Sequence, residues 1–286
     1  GGTLAHERGP RVAFYAPLKP PDHPTPSGDR RIARLTLAAL ERAGARPFLA
    51  SWLRILDTAG DPARQAALHA EAEAEVARLT RALAADPPDA WLSYHCHYKA
   101  PDLVGPAVAR ALGVPYLLTE ASISPRRREG PWAGFAAAAE GAIAAADRVF
   151  WTTARDRPAL EAAGHGARMT QLPAFVDAGP PVPARSAYRP LHLLTVAMMR
   201  PGDKRESYRR LAAGLARLRL DWRLTVIGDG PERAACLAPL EQLGPVVHRG
   251  DLASPEAIRP FYEAADLLVW PGVGEGVGMA WLEAQA

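Results

Sequence analysis

Two carboxylates near the end of the chain, Glu275 and Glu283, are separated by seven residues and bracket a change of pattern. The run Asp-Leu-Leu-Val-Trp over 266–270 has the apolar character of a buried strand. It stops at Pro271-Gly272. A loop with Gly274, Gly276 and Gly278 follows, and the pattern turns helical over 279–286. Strand, glycine loop and helix are how α/β proteins present backbone N–H groups to a phosphate. Eight residues of helix rise about 12 Å. Glu275 and Glu283 are therefore spaced to touch opposite ends of one elongated, phosphate-bearing ligand, with Gly276, Val277 and Gly278 between them.

Arg200 and Lys204 stand just past an expected strand over 191–197. In an open α/β sheet, ligands lie outside the carboxyl ends of the strands at the switch point. The strand over 266–270 is the fourth of its domain, and in the usual order strands one and four are neighbours. Arg200, Lys204 and the 276–278 loop are thus expected to converge, Arg forking onto phosphate oxygens and Lys adding a point charge. Gly228-Asp229-Gly230 resembles the opening of a dinucleotide fingerprint, but Arg233 stands where a third glycine is needed. His95 and His97 fall on one face if their strand continues. Metal binding, contact of His97 with substrate in a cleft, and simple packing all remain open for them. Further ligands at metal-site spacing are not visible. Arg126-Arg127-Arg128 reads as a solvated loop, an anion site or a membrane contact.

The elements that must position these groups alternate. In the first half, strands are expected over 11–16, 46–51, 89–94, 114–118, 148–152 and 168–172. Helices are expected over 30–43 (capped by Ser27 or Asp29), from Asp61-Pro62 onward, over 102–112, through the alanine-rich 135–146 and over 158–163. The loop over 17–29 is long for a connection between a strand and its helix. The Pro-rich stretch over 179–190 reads as a stiff linker between domains of residues 1–178 and 191–286. After it come strands over 191–197, 223–227, 246–249 and 266–270. The helices between them are expected over 206–218, from Pro231, and from Ser254-Pro255 to Ala265. The expected class is α/β, with two Rossmann-like, doubly wound domains.

At 286 residues, 48% of them apolar and 23% charged, the chain has length for two cores. The balance of 34 basic against 31 acidic residues, net +3, argues against a nucleic-acid partner. Two cysteines, Cys96 and Cys236, make no disulfide framework and fit a reducing compartment. No apolar run reaches membrane-spanning length. The opening G-G-T-L-A-H-E-R-G-P lacks both a signal-peptide core and an initiating Met, so a fragment is expected.

The segment E-G-V-G-M-A-W-L-E-A-Q-A resembles the E-x7-E donor-binding segment of family 4 glycosyltransferases, which have the GT-B fold. The resemblance implies that Glu275 lies by the donor sugar's hydroxyls and that Glu283 holds the nucleoside ribose. It also implies that the loop of Gly276, Val277 and Gly278 cradles the diphosphate. Arg200 and Lys204 match the family's Arg and Lys, which are usually one residue further apart, so Arg205 is a second candidate. Leu172-Pro-Ala-Phe-Val-Asp177 resembles the turn that closes the family's first domain, and Gly28 with Arg30 matches its phosphate-approaching loop. Where the family often has a sugar-contacting His, this chain has Glu120. The implied activity is a retaining, metal-independent transfer from a nucleotide-diphosphate sugar to a glycan or lipid-linked acceptor, with no further cofactor. The implied place is the cytoplasm, with membrane contact at its inner face left open. Family members continue past E-A-Q-A. A truncated second domain is therefore expected, with an exposed edge strand, a frayed 271–286 segment, a tendency to self-associate and negligible turnover. The alternatives are a non-catalytic nucleotide-sugar-binding module and a Rossmann oxidoreductase.

Overall fold

Short β-branched and aromatic runs flanked by helices need a sheet covered on both faces, and two such sheets form. The computed structural model describes residues 9–25, 27–179, 190–252 and 254–286. They fall into two compact units, Gly1–Ala174 and Phe175–Ala286. Most of the expected linker, 180–189, lies outside the described residues.

In the first unit the strands are β1 (Arg11–Tyr15), β2 (Arg46–Ser51), β3 (Ala90–Cys96), β4 (Tyr116–Ala121), β5 (Arg148–Trp151) and β6 (Met169–Gln171). They pair in parallel in the order β2-β1-β3-β4-β5-β6. The helices are α1 (Gly28–Arg42), α2 (Pro62–Leu83), α3 (Gly105–Leu112), α4 (Ala133–Ala145) and α5 (Arg157–Ala162). The period of two divides β1 between two cores. Ala13 and Tyr15 pack with Trp91, Leu68, Val108 and Ile143, while Val12 and Phe14 pack with Ala33, Leu92 and Tyr94. Ser27, and not Asp29, caps α1. Strand β4 runs to Ala121, three residues beyond the expected end, so Glu120 belongs to the strand and not to the loop after it.

The second unit contains β7 (Leu191–Val196), β8 (Trp222–Ile227), β9 (Val246–His248) and β10 (Leu267–Leu268). They pair in the order β10-β7-β8-β9, which makes the fourth strand a neighbour of the first, as expected. Its helices are α6 (Asp203–Leu215), α7 (Arg233–Glu241), α8 (Pro255–Ala264) and α9 (Met279–Gln285). Three expectations shift. Helix α6 starts at Asp203 because Gly202, at φ 80°, makes the break that the sequence placed later. Pro231 does not open α7, because the Glu232 N–H donates to the Met199 carbonyl at 3.0 Å and delays the helix to Arg233. Strand β10 is only two residues long, although the Asp266 and Val269 N–H groups extend its contact along β7 at 2.8 Å each.

Asp102 is the polar centre of the first unit. It is 2% exposed. It accepts from the N–H groups of Val104 at 3.0 Å and Gly105 at 2.7 Å, which start α3. It also accepts from Tyr116 Oη at 2.9 Å and from Ser93 Oγ. One carboxylate thus satisfies a helix start and joins β3 to β4. Removing it leaves buried donors unpaired, and Asp102→Ala should lower unfolding free energy by about 3 kcal/mol or more. Asp102→Asn, which keeps an acceptor, should cost less. Equal stability of Asp102→Ala and the parent in a denaturant titration would remove Asp102 from this role.

Candidate functional site

In the second unit the site forms where α6 meets the loop after β10. Ser207, fully buried, donates to the Asp203 carbonyl at 2.8 Å and accepts from the Val273 N–H at 2.9 Å. Gly274 has φ 67°, and a Cβ there would stand 2.2 Å from Asp203 Oδ2, so only glycine lets the loop press this closely on α6. That contact sets Glu275 against Lys204, whose ammonium is hydrogen-bonded to Glu275 Oε1. The same oxygen accepts from Trp270 Nε1 at 3.0 Å. Trp270 is in turn fixed by the edge of Tyr208 at 5.0 Å between ring centroids, and the Lys204 ammonium lies 5.5 Å over its ring. With Oε1 taken twice, Oε2 of Glu275 has no hydrogen-bond partner among the described residues. The N–H groups of Gly276, Val277 and Gly278 make none among them either.

The two candidate cations divide. Arg205 pairs with Glu232 at 3.1 Å, leaving Lys204 as the cation facing the glycine loop. Lys204 touches Glu275 itself, an arrangement the sequence did not indicate. Arg200 is exposed and carries no ion pair among the described residues; it is near the loop in topology but makes no hydrogen bond or ion pair with Glu275. Glu283 accepts from Tyr262 Oη of α8 at 2.8 Å. Trp270, Ser207 and Tyr262 went unnoticed in the sequence. Trp270, placed between an apolar strand and Pro271-Gly272, carried the one available signal. In the Gly228-Asp229-Gly230 turn a Cβ at Gly228 or Gly230 would strike the carbonyl oxygen of Ala197 or Met199 at 1.9 and 2.2 Å. The close approach of the chain's own backbone accounts for both glycines.

In the first unit, the carboxyl ends of β3 and β4 gather a second set of groups. His95 and Glu120 both have left-handed backbones, φ 78° and 53°, which is uncommon for residues with side chains. His95 Nδ1 lies 3.7 Å from Asp29 Oδ1 and has no hydrogen bond; burial pushes the imidazole down to about 4, so it is neutral at neutral pH. The His95 and His97 rings stand 5.0 Å apart, but β3 ends at Cys96 and His95 is left-handed, so the condition for strand alternation, a continuing strand, is not met. Burial likewise pushes His97 down to about 3. The Tyr94 hydroxyl is buried without a partner. Burial raises Glu120 to about 7 despite a hydrogen bond from Thr152, and the Asp156 and Asp29 charges add to the rise. Gly28 is the exposed first residue of α1, and Arg30 Nη1 is spent on the His23 carbonyl at 2.8 Å.

Glu120 links this geometry to pH. Its folded-state pKa lies above its ordinary value of 4.5, so the folded state resists ionisation, and stability is lost as pH rises through about 7. Glu120→Gln should differ little from the parent near pH 4, below the ordinary value of 4.5. At pH 8 it should be more stable, by on the order of 2–3 kcal/mol. A pH-independent difference in urea unfolding of the first unit would contradict the burial argument.

In comparison with known proteins, a family model matches within the second unit and solved structures match across both. Residues 190–286 match the model of the family described as Glycosyl transferases group 1. No curated protein matches the chain in sequence. Among solved structures, the apo form of the lipopolysaccharide outer core galactosyltransferase WaaB superposes with a TM-score of 0.63 at 18% identity, covering 96% of this chain and 77% of that one. The trehalose-6-phosphate synthase OtsA gives 0.64 at 12%, covering 96% and 81%. A glycosyltransferase from Rickettsia africae gives 0.59 at 10%, covering 97% and 77%. No helix among the described residues is long and apolar enough to cross a membrane. The second unit is therefore similar to a glycosyltransferase group 1 domain over residues 190–286, and the chain has the GT-B fold.

Proposed function

We propose that the chain transfers a sugar, with retention of anomeric configuration, from a nucleotide-diphosphate donor to a glycan or lipid-linked acceptor. The observation that carries this reading is the state of Glu275. One oxygen is fixed by Lys204 and Trp270, and the other is left free to accept from a sugar hydroxyl. Beside it, the 276–278 loop offers unpaired N–H groups for a diphosphate, and Arg200 offers an unpaired guanidinium. In the transfer, the bond from the anomeric carbon to the diphosphate breaks and negative charge grows on the leaving phosphate. Groups already oriented towards that charge stabilise it without reorganisation. Lys204 has three donors, so it can keep Glu275 and still reach a phosphate oxygen. In this reading Arg200 and Lys204 supply the positive charge a divalent metal would otherwise bring, and no further cofactor is needed. Glu283, oriented by Tyr262, takes the ribose. Glu120, His97 and Gly28 are the first unit's contributions, to the sugar, the substrate and the phosphates respectively.

The reading is tested by nucleotide titration and by turnover. Arg200→Gln should weaken nucleoside-diphosphate binding by about 1.5–3 kcal/mol, the scale of a charge-assisted hydrogen bond. Glu275→Gln should lower kcat while leaving nucleotide affinity nearly unchanged. Turnover in excess chelator should be retained, and the product should keep the donor's anomeric configuration by NMR. Binding without transfer or donor hydrolysis would favour a nucleotide-sugar-binding module instead. Unchanged affinity in Arg200→Gln would remove its phosphate role.

A further inference from the structure

The sequence left Arg126-Arg127-Arg128 as three equivalent cations; the fold makes them unlike one another. Arg128 is bound bidentately by Glu140 at 2.9 and 3.0 Å, and Arg126 is exposed. Arg127 is half-buried and lies over two aromatic rings, 5.1 Å from the centroid of Tyr98 and 4.8 Å from that of Trp132. The Lys99 ammonium lies 5.7 Å from the same Tyr98 ring. Neither Arg127 nor Lys99 has a carboxylate partner among the described residues. Trp132 Nε1 is buried with no acceptor. His97 Nδ1 accepts from the Lys99 N–H at 3.1 Å, so the proton of its neutral ring sits on Nε2, another donor. The groups gathered here are donors.

The platform beneath them is rigid. Asp57, 4% exposed, accepts from Ala59, Gly60 and Asp61 N–H groups and from Gln65 Nε2, at 2.8–3.0 Å. Its own N–H donates to the Lys99 carbonyl at 2.9 Å, and Gln65 Nε2 also reaches the Pro131 carbonyl at 2.9 Å. The carboxylate is thus consumed in holding the Lys99 turn and the Pro131-Trp132 turn together, and four donors leave it little capacity for Arg127 or Lys99. A buried donor without an acceptor costs free energy, and a cation over an aromatic face keeps its N–H groups available at the ring's margin.

We propose that the loops after β3 and β4 form a binding site for one compact anionic group, a phosphate or carboxylate, recognised by Arg127, Lys99 and the Trp132 indole N–H. The fit favours such a group over a membrane surface. A single half-buried guanidinium over a pair of rings in edge contact, 5.7 Å between centroids, suits one anion, whereas a lipid surface calls for a broad exposed basic face, and Arg128 is already spent on Glu140. If the chain transfers sugar as proposed above, the group belongs to the acceptor, which is then an anionic sugar or a phosphate-linked glycan. That assignment rests on the proposed transfer; the anion site itself does not.

The test uses the full chain and reads the Trp132 indole N–H directly. In a ¹H–¹⁵N spectrum, with the Trp132 signal assigned by its loss in Trp132→Phe, inorganic phosphate should shift that signal saturably. Arg127→Gln with Lys99→Gln should weaken the apparent phosphate affinity about tenfold or more. Arg127→Lys, which keeps the charge and loses the fork, should fall between. Arg200→Gln should leave the phosphate response of Trp132 unchanged, so the fate of this site and that of the nucleotide site are read separately. Vesicles of three parts phosphatidylcholine to one part phosphatidic acid distinguish the sources. Vesicle binding that the double variant loses places the anion on a lipid-linked acceptor, and phosphate binding without vesicle binding places it on a soluble one. No phosphate response at Trp132, an equal response in the folded double variant, or vesicle binding with no phosphate response would overturn the proposal.

Discussion

The second unit depends on the contact of Glu275 with Lys204 and Trp270. Its contribution to stability is modest in expectation: the side chains of Lys204 and Glu275 are 32% and 14% exposed, and the cost of desolvating both charges offsets much of their attraction. Its consequence is orientation. The pair joins the first turn of α6 to the glycine loop, while Trp270 joins that loop to the Tyr208 ring, whose hydroxyl donates to the Ala197 carbonyl at 2.8 Å at the end of β7. The two loops at the carboxyl edge are thereby held in one arrangement before any ligand arrives. Preorganisation of this kind is what electrostatic catalysis uses, because donors already aimed at a developing charge need not reorient.

The first unit applies a different physical device at the equivalent edge of its sheet. Where β3 and β4 end, His95 and Glu120 are held in left-handed backbones; burial keeps His95 neutral and moves the ionisation of Glu120 up to about 7. Strained backbone and displaced pKa at one sheet edge is a pattern of functional sites. A few residues beyond, Lys99, Arg127 and Trp132 add unpaired donors. The unit therefore places groups that burial holds back from charging next to cationic ones.

Much of this was legible in the sequence because it follows from period and punctuation. Apolar runs ending in Gly or Pro marked both sheets, Ser27, Asp61 and Ser254 marked helix starts, and the alternation gave the 4-1 adjacency that brings the Lys204 and Glu275 loops together. The misses have physical causes. Glycine at φ 80° moved the start of α6, and a tertiary hydrogen bond to Met199 displaced Pro231 from the start of α7. The length of β4 depended on its pairing with β3, where Ala121 faces Cys96. The roles of Trp270, Ser207 and Tyr262 rest on contacts spanning 5, 66 and 21 residues, which no local pattern encodes. The distinction among the three arginines is likewise tertiary: only folding brings Tyr98 and Trp132 together under Arg127 and Glu140 to Arg128.

The account turns on whether the glycine loop of the second unit receives a diphosphate beside an already fixed Glu275. A crystal structure of the chain with a bound nucleoside diphosphate tests this most directly. The account predicts phosphate oxygens within hydrogen-bond distance of the Gly276, Val277 or Gly278 N–H groups and of Arg200. It also predicts Glu275 still held by Trp270, with Oε2 facing the end of the diphosphate. A nucleotide bound away from this loop, or a Glu275 that swings off Trp270 when the ligand enters, would contradict it.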